Sequence, residues 1–292
     1  MNRRTLTVVR AGALTTVQDP GRAGHAHLGV PRSGALDPYA SRLVNRLAGN
    51  PEDAAVLETT LDGCALRPRC DVTVAVGGAP CPVRVDGRPV AWGAAVRVPA
   101  GRLLEVGAAV RGLRSYVAFA GGVAVAPVLG SRSTDLLSGL GPAPLADGAV
   151  LPLGRPGAPA PPVDTVPWSA PPGELVLRVR LGPRHDWFTG ASLRTFTTRA
   201  YRVSPRSNRI GLRTEGPPLR RAVAGELPSE GMVLGAVQVP PDGLPVVFLA
   251  DHPTTGGYPV VAVVREADLA AAAQAAPGTP VRFVPAGRPG RP

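Results

Sequence analysis

Between Ser204 and Pro259 four short polar stretches interrupt apolar runs, and they hold the side chains best suited to chemistry. Ser207, Asn208 and Arg209 stand together in a proline- and glycine-bounded loop, where a hydroxyl, an amide and a guanidinium can converge on one carboxylate; the alternative is a capped turn with a solvated arginine. His252 is suited to proton transfer near neutral pH, or is a turn histidine bonded to its own backbone. Thr254, Thr255, Gly256 and Gly257 follow the apolar run 246–250, so they fall at a strand end, where glycine-freed amides and two hydroxyls can cradle an oxyanion; the alternative is a tight turn. Glu230 and Gln238 are candidates to contact a lactam or amide edge, although a buried glutamine satisfied by the fold fits the sequence equally well. In the first half, Ser131 and Ser133 in Ser-Arg-Ser-Thr-Asp carry a similar mixture, which also reads as the cap of a short helix after Thr134. Asp19 and Arg22 read as turn-forming and structural.

Composition narrows the chemistry. All 32 basic residues are arginine and the formal net charge is +11. Without lysine the chain can carry no biotinyl-lysine, no Schiff base and no Walker-type phosphate lysine. Arginine suits carboxylate or phosphate, which its planar fork grips with two parallel bonds. The arginines are scattered, aromatics are 4%, and no nucleic-acid-binding motif is present, so a nucleic-acid partner is not expected. Cys64, Cys70 and Cys81 have spacings unlike zinc pairs and read as reduced core residues. His25 and His27 alternate as on one face of an extended segment, but no carboxylate or cysteine cluster completes a metal site, and a metal-free protein is expected. The apolar run near the N-terminus is too short for a signal peptide and no stretch approaches a membrane span, so the expected location is cytoplasmic, away from membranes.

The elements that must position these residues are mainly strands. Runs 6–9, 14–17, 56–61 and 72–76 are aliphatic or β-branched and bounded by turn residues. Residues 83–90 form a hairpin around Asp86-Gly87. Asp37 and Pro38 open a helix whose stripe is Ala40, Leu43, Val44 and Leu47 and which ends at Gly49-Asn50; a second helix is expected over 266–275. The proline-rich stretch at 159–172 reads as a linker between domains 1–158 and 173–285, each resembling a small β-barrel with one or two short helices, and 286–292 as a disordered tail.

The stretches 12–22, 29–37, 45–50, 57–61, 130–136, Gly182-Pro183 and the four polar signatures resemble, in order, the carboxyltransferase-like C-type family of bacterial 5-oxoprolinase subunits. That family is similar to the second half of the urea carboxylase carboxyltransferase domain and to the antagonist of a histidine-kinase inhibitor. The resemblance implies cyclophilin-like barrels, and ATP as co-substrate of a complex with a B-type subunit and a separate A-type subunit. It also implies cleavage of the lactam of 5-oxo-L-proline to L-glutamate. On that basis His252 and Arg209 are the expected catalytic pair. Carboxyl transfer to urea or a related amide, with carboxybiotin supplied by another protein, and sequestration of a kinase regulator are the alternatives.

Overall fold

Asp37 accepts a hydrogen bond from the Ala40 amide at 3.0 Å and Pro38 takes the first helical position, so helix α1 (Pro38–Leu47) starts where the sequence places it. In the computed structural model, which describes residues 4–157, 159, 166–168, 170–171 and 173–287, two compact units emerge. One comprises Met1–Arg22 and Ser33–Pro171, the other Ala23–Arg32 and Pro172–Pro292. Most of the expected linker and tail lies outside the described residues.

The first unit holds β1 (Thr5–Arg10), β2 (Leu14–Gln18), β3 (Val56–Thr60), β4 (Cys64–Pro68), β5 (Val72–Gly78), β6 (Val83–Val85), β7 (Arg88–Val90), β8 (Ala95–Val98), β9 (Leu104–Val106), β10 (Arg114–Phe119) and β11 (Val150–Pro152). They form two open sheets, β11-β1-β4-β9-β6-β7 and β2-β3-β10-β5-β8. Leu6, Leu66 and Leu104 of the first and Leu57, Val74 and Val117 of the second meet in one core, while Val44 and Leu47 of α1 cover the other face of the five-stranded sheet. This corrects the expectation of two barrels. The edge strand β2 does not close onto the other sheet; its Thr15 and Val17 carbonyls accept instead from the loop amides of Leu145 and Thr134. The hairpin is as expected: Asp86 and Gly87 have φ of 48° and 76°, and Val83 faces Val90. Cys64, Cys70 and Cys81 are free, and burial pushes the Cys64 thiol up to about 12, which leaves it an inert core group.

The second unit contains a closed barrel. Its strands are β12 (Leu175–Leu181), β13 (Tyr201–Val203), β14 (Gly211–Glu215), β16 (Ala236–Gln238), β17 (Val246–Phe248), β19 (Val260–Val264) and β20 (Pro280–Pro285), in the order β12-β19-β16-β17-β14-β13-β20. A parallel pairing of β12 with β20 completes the ring. Two short strands, β15 (Glu230–Gly231) and β18 (Thr255–Gly256), form a separate ladder. Helix α2 (Gly190–Thr198) stacks Phe196 on Phe283 of β20 at 4.5 Å. Helix α3 (Glu266–Ala273) is two residues shorter than expected and is tied to β12, because Asp268 accepts from both the backbone and the guanidinium of Arg178. His25 and His27 do not lie on an extended segment: a one-turn 3-10 helix spans Ala26–Leu28.

Candidate functional site

Residues 249–259 leave β17 and carry most of the candidate side chains. The base of this segment is fixed by a dry ion pair. Arg209 Nε donates to Asp251 Oδ2 and Nη2 to Oδ1, each at 2.9 Å, and both side chains are 0% exposed. A charge pair stays in such an interior only when its geometry satisfies both partners, and here the fork does so. Arg209 therefore anchors the loop, with its guanidinium turned to Asp251. Its neighbours shape the turn: Ser207 Oγ exchanges hydrogen bonds with the Arg213 backbone, and Asn208 Oδ1 accepts from the amides of Ile210 and Gly211.

His252 is buried and stacks on Phe248 with a 5.9 Å ring separation. Its Nδ1 lies 2.7 Å from the Pro253 carbonyl; since a carbonyl only accepts, Nδ1 carries the proton and the tautomer is set. Downstream, Thr255 and Gly256 pair with Gly231 and Glu230, and the Met232 amide donates to the Thr254 carbonyl at 2.8 Å. The segment is thus a short antiparallel ladder, and neither Gly256 nor Gly257 takes the left-handed conformation that an anion nest requires.

That ladder gathers another set of groups. Glu230 receives a forked guanidinium from Arg184, with Nε at 2.9 and 3.1 Å from its two oxygens and Nη2 also donating to Oε1. The hydrogen bond from Arg184 holds the Glu230 carboxyl below its usual range and raises the guanidinium in turn. Arg184 is placed because the Gly182 and Arg184 amides bond to the Val261 and Val260 carbonyls of β19. Gln238, paired with Val260, donates from Nε2 to the Tyr258 carbonyl at 3.0 Å. Above Tyr258, at 6.0 Å from its ring centre, sits Arg221, whose Nη2 donates to the Val239 carbonyl. So Arg184, Glu230, Gln238, Gly256, Tyr258 and Arg221 share one end of the barrel. The arrangement links two guanidinium groups, a carboxylate and an amide through neighbouring contacts.

Arg184 and Arg221 escape a reading of the sequence. Arg184 directly follows Gly182-Pro183, which is a usable signal; Arg221 follows only another arginine and carries none.

In the first unit Ser131 and Ser133 are buried, and both hydroxyls donate to Asp19 Oδ1 at 2.6 Å. Arg22 donates to Ser33 Oγ at 2.7 Å and to the Ser133 carbonyl, and Ser33 donates to Asp135 at 2.6 Å. Asp19 and Arg22 are both buried in this hydrogen-bond network. The cap in this stretch is Asp135, whose Oδ1 accepts from the Leu137 and Ser138 amides of a turn; no helix follows Thr134. Among the described residues no three His, Cys, Asp or Glu side chains gather as for a metal ion, and no helix is long and apolar enough to cross a membrane.

Residues 28–285 match the family model for the carboxyltransferase domain, subdomains A and B. The chain is 40% identical to the C-type subunit of 5-oxoprolinase from Escherichia coli (strain K12), over 96% of this chain and 90% of the relative. Among solved structures it is similar to the protein TTHA0988, with a TM-score of 0.86 and 37% identity, covering 97% of this chain but 56% of that one. It is also similar to the urea amidolyase of K. lactis, with a TM-score of 0.87 and 31% identity, over 98% of this chain and 19% of the other.

Proposed function

The chain belongs to the carboxyltransferase-domain family of subdomains A and B, and from that premise we propose that it is the C-type subunit of an ATP-dependent 5-oxoprolinase. One observation carries the choice within the family: the likeness to the E. coli protein runs over nine-tenths of that relative's length, whereas the urea amidolyase is matched over less than a fifth. The cyclophilin-like assignment of the barrel goes with this reading.

The barrel-end cluster supplies what binding a lactam acid needs. Arg221, with Arg184 held in orientation by Glu230, offers guanidinium donors to the substrate carboxylate. Thr254, Thr255, Gly256 and Gly257 form the wall beside it. His252, with its proton held on Nδ1, is the residue assigned to proton transfer, and Arg209, together with the turn of Ser207 and Asn208, positions the loop through Asp251. Ser131 and Ser133 enter as the support of Asp19.

ATP supplies the phosphoryl group that makes the lactam carbon, a poor electrophile, open to water. In this proposal ATP is a co-substrate of the complex as a whole.

Glutamate release from 5-oxoproline, measured with each subunit omitted in turn, tests the reading. Turnover is expected only from the complete set, with ATP, and unchanged by avidin or by removal of bicarbonate. Avidin-sensitive incorporation of labelled bicarbonate into urea, without glutamate formation, would overturn it in favour of carboxyl transfer.

A further inference from the structure

Gln238 is 6% exposed, yet half of its amide is unused. Nε2 donates to the Tyr258 carbonyl and lies 4.0 Å from the Met232 sulfur. Because a carbonyl cannot donate, the nitrogen must be the atom on that side, and the amide orientation follows from chemistry. Oε1 then accepts no hydrogen bond from any described residue. That oxygen is not among the atoms shut away from water without a partner, so it reaches solvent and stays open to a donor that a ligand brings. Gly256 makes this orientation possible. A Cβ there would come within 2.7 Å of Gln238 Nε2, so any side chain on that residue pushes the amide out of place. Gly256 itself pairs with Glu230, the partner of Arg184.

We infer that Gln238 Oε1 is the acceptor that reads the N–H of the substrate's amide, making Gln238 the residue that restricts the site to amides bearing an N–H. The inference rests on the 5-oxoprolinase reading and deepens it. An N-alkylated lactam or a lactone has no hydrogen to offer, and would cover Oε1 and leave it unpaired, which is how a polar site rejects an analogue most strongly. Arg184 and Arg221 would still hold such a compound's carboxylate, so the discrimination belongs to Gln238 and not to general affinity.

The test uses the complex reconstituted with its partner subunits and compares kcat/KM for 5-oxoproline, N-methyl-5-oxoproline and the corresponding lactone acid. In the parent, both analogues are expected to fall at least tenfold below 5-oxoproline. Gln238→Met, similar in length but without a comparable acceptor, should lower 5-oxoproline turnover at least tenfold and leave the analogues where they were, so that the preference collapses. Gly256→Ala, which displaces the amide without removing it, should narrow the same preference, and supplies the answer should Gln238→Met not assemble. A preference that is equal in parent and variants, or absent in the parent, overturns the inference and leaves the reading standing. No 5-oxoproline turnover by the complete complex would overturn the reading itself, and this inference with it.

Discussion

Among the arginine–carboxylate forks of the barrel unit, Arg209–Asp251 and Arg184–Glu230 differ chiefly in their access to water. Arg209 and Asp251 are both 0% exposed, whereas Arg184 and Glu230 are 36% and 26% exposed at the side chain. In the first pair neither charge can turn to solvent instead, so each is held by the other and the loop between β17 and β19 is pinned as a result. The other pair is screened and adds little to folding, but its guanidinium stays within reach of a ligand. A charged motif thus becomes machinery or scaffold according to burial, because burial sets what breaking the pair costs.

Arg209→Ala should give the largest effect. It strands the Asp251 carboxylate in the interior, for which about 3–5 kcal/mol of lost stability is expected, visible as a lower urea midpoint. Removing both charges with Arg209→Met and Asp251→Leu should recover a good part of that. Parent-like stability with lost turnover in Arg209→Ala would break the comparison and return Arg209 to the ligand.

Arg184→Ala should behave in the opposite way. Stability is expected to change little, because the pair is screened by solvent, while turnover of the reconstituted complex drops tenfold or more. Melting curves and steady-state kinetics on one preparation decide it; full activity in a folded variant would remove Arg184 from the site.

The smallest effect is a pH dependence. Arg184 lowers the pKa of Glu230 in the folded chain, so the ionised form is favoured by folding. The contribution is therefore complete above the ordinary glutamate pKa of about 4.3 and fades as pH falls through the lower folded value. Thermal melts of the parent and Glu230→Gln should differ slightly at neutral pH and converge in acid. A gap that persists unchanged in acid would show that the pair's charge is not its source.

Much of the local structure is legible in the sequence because its causes are local. Asp37 and Pro38 lie within one turn of the helix they start, and Asp86-Gly87 needs only its own backbone freedom to make a hairpin. Helix α2 is hidden by the same logic. It begins at Gly190 and holds Thr195, Thr197 and Thr198, poor helix formers, and what supports it is the Thr189 cap together with Phe196 stacked on Phe283, 87 residues further along the chain. Alternation marks the strands but does not say which edges will meet, and so the sequence does not distinguish the open sheets of one unit from the closed ring of the other.

The candidate site divides in the same way. Residue identity alone determined that no lysine chemistry is available, that arginine would hold any carboxylate, and that glycines, threonines, an imidazole and amides cluster in residues 204–259. Only the tertiary structure decided which arginine is spent. Arg209 meets Asp251 across 42 residues and Arg184 meets Glu230 across 46, pairings fixed by barrel closure and by the β15–β18 ladder. The same packing left Gln238 with one end of its amide satisfied and the other open. A hydrogen bond depends on distance and direction between atoms that the chain order keeps far apart, and those are set only when the strands close around them.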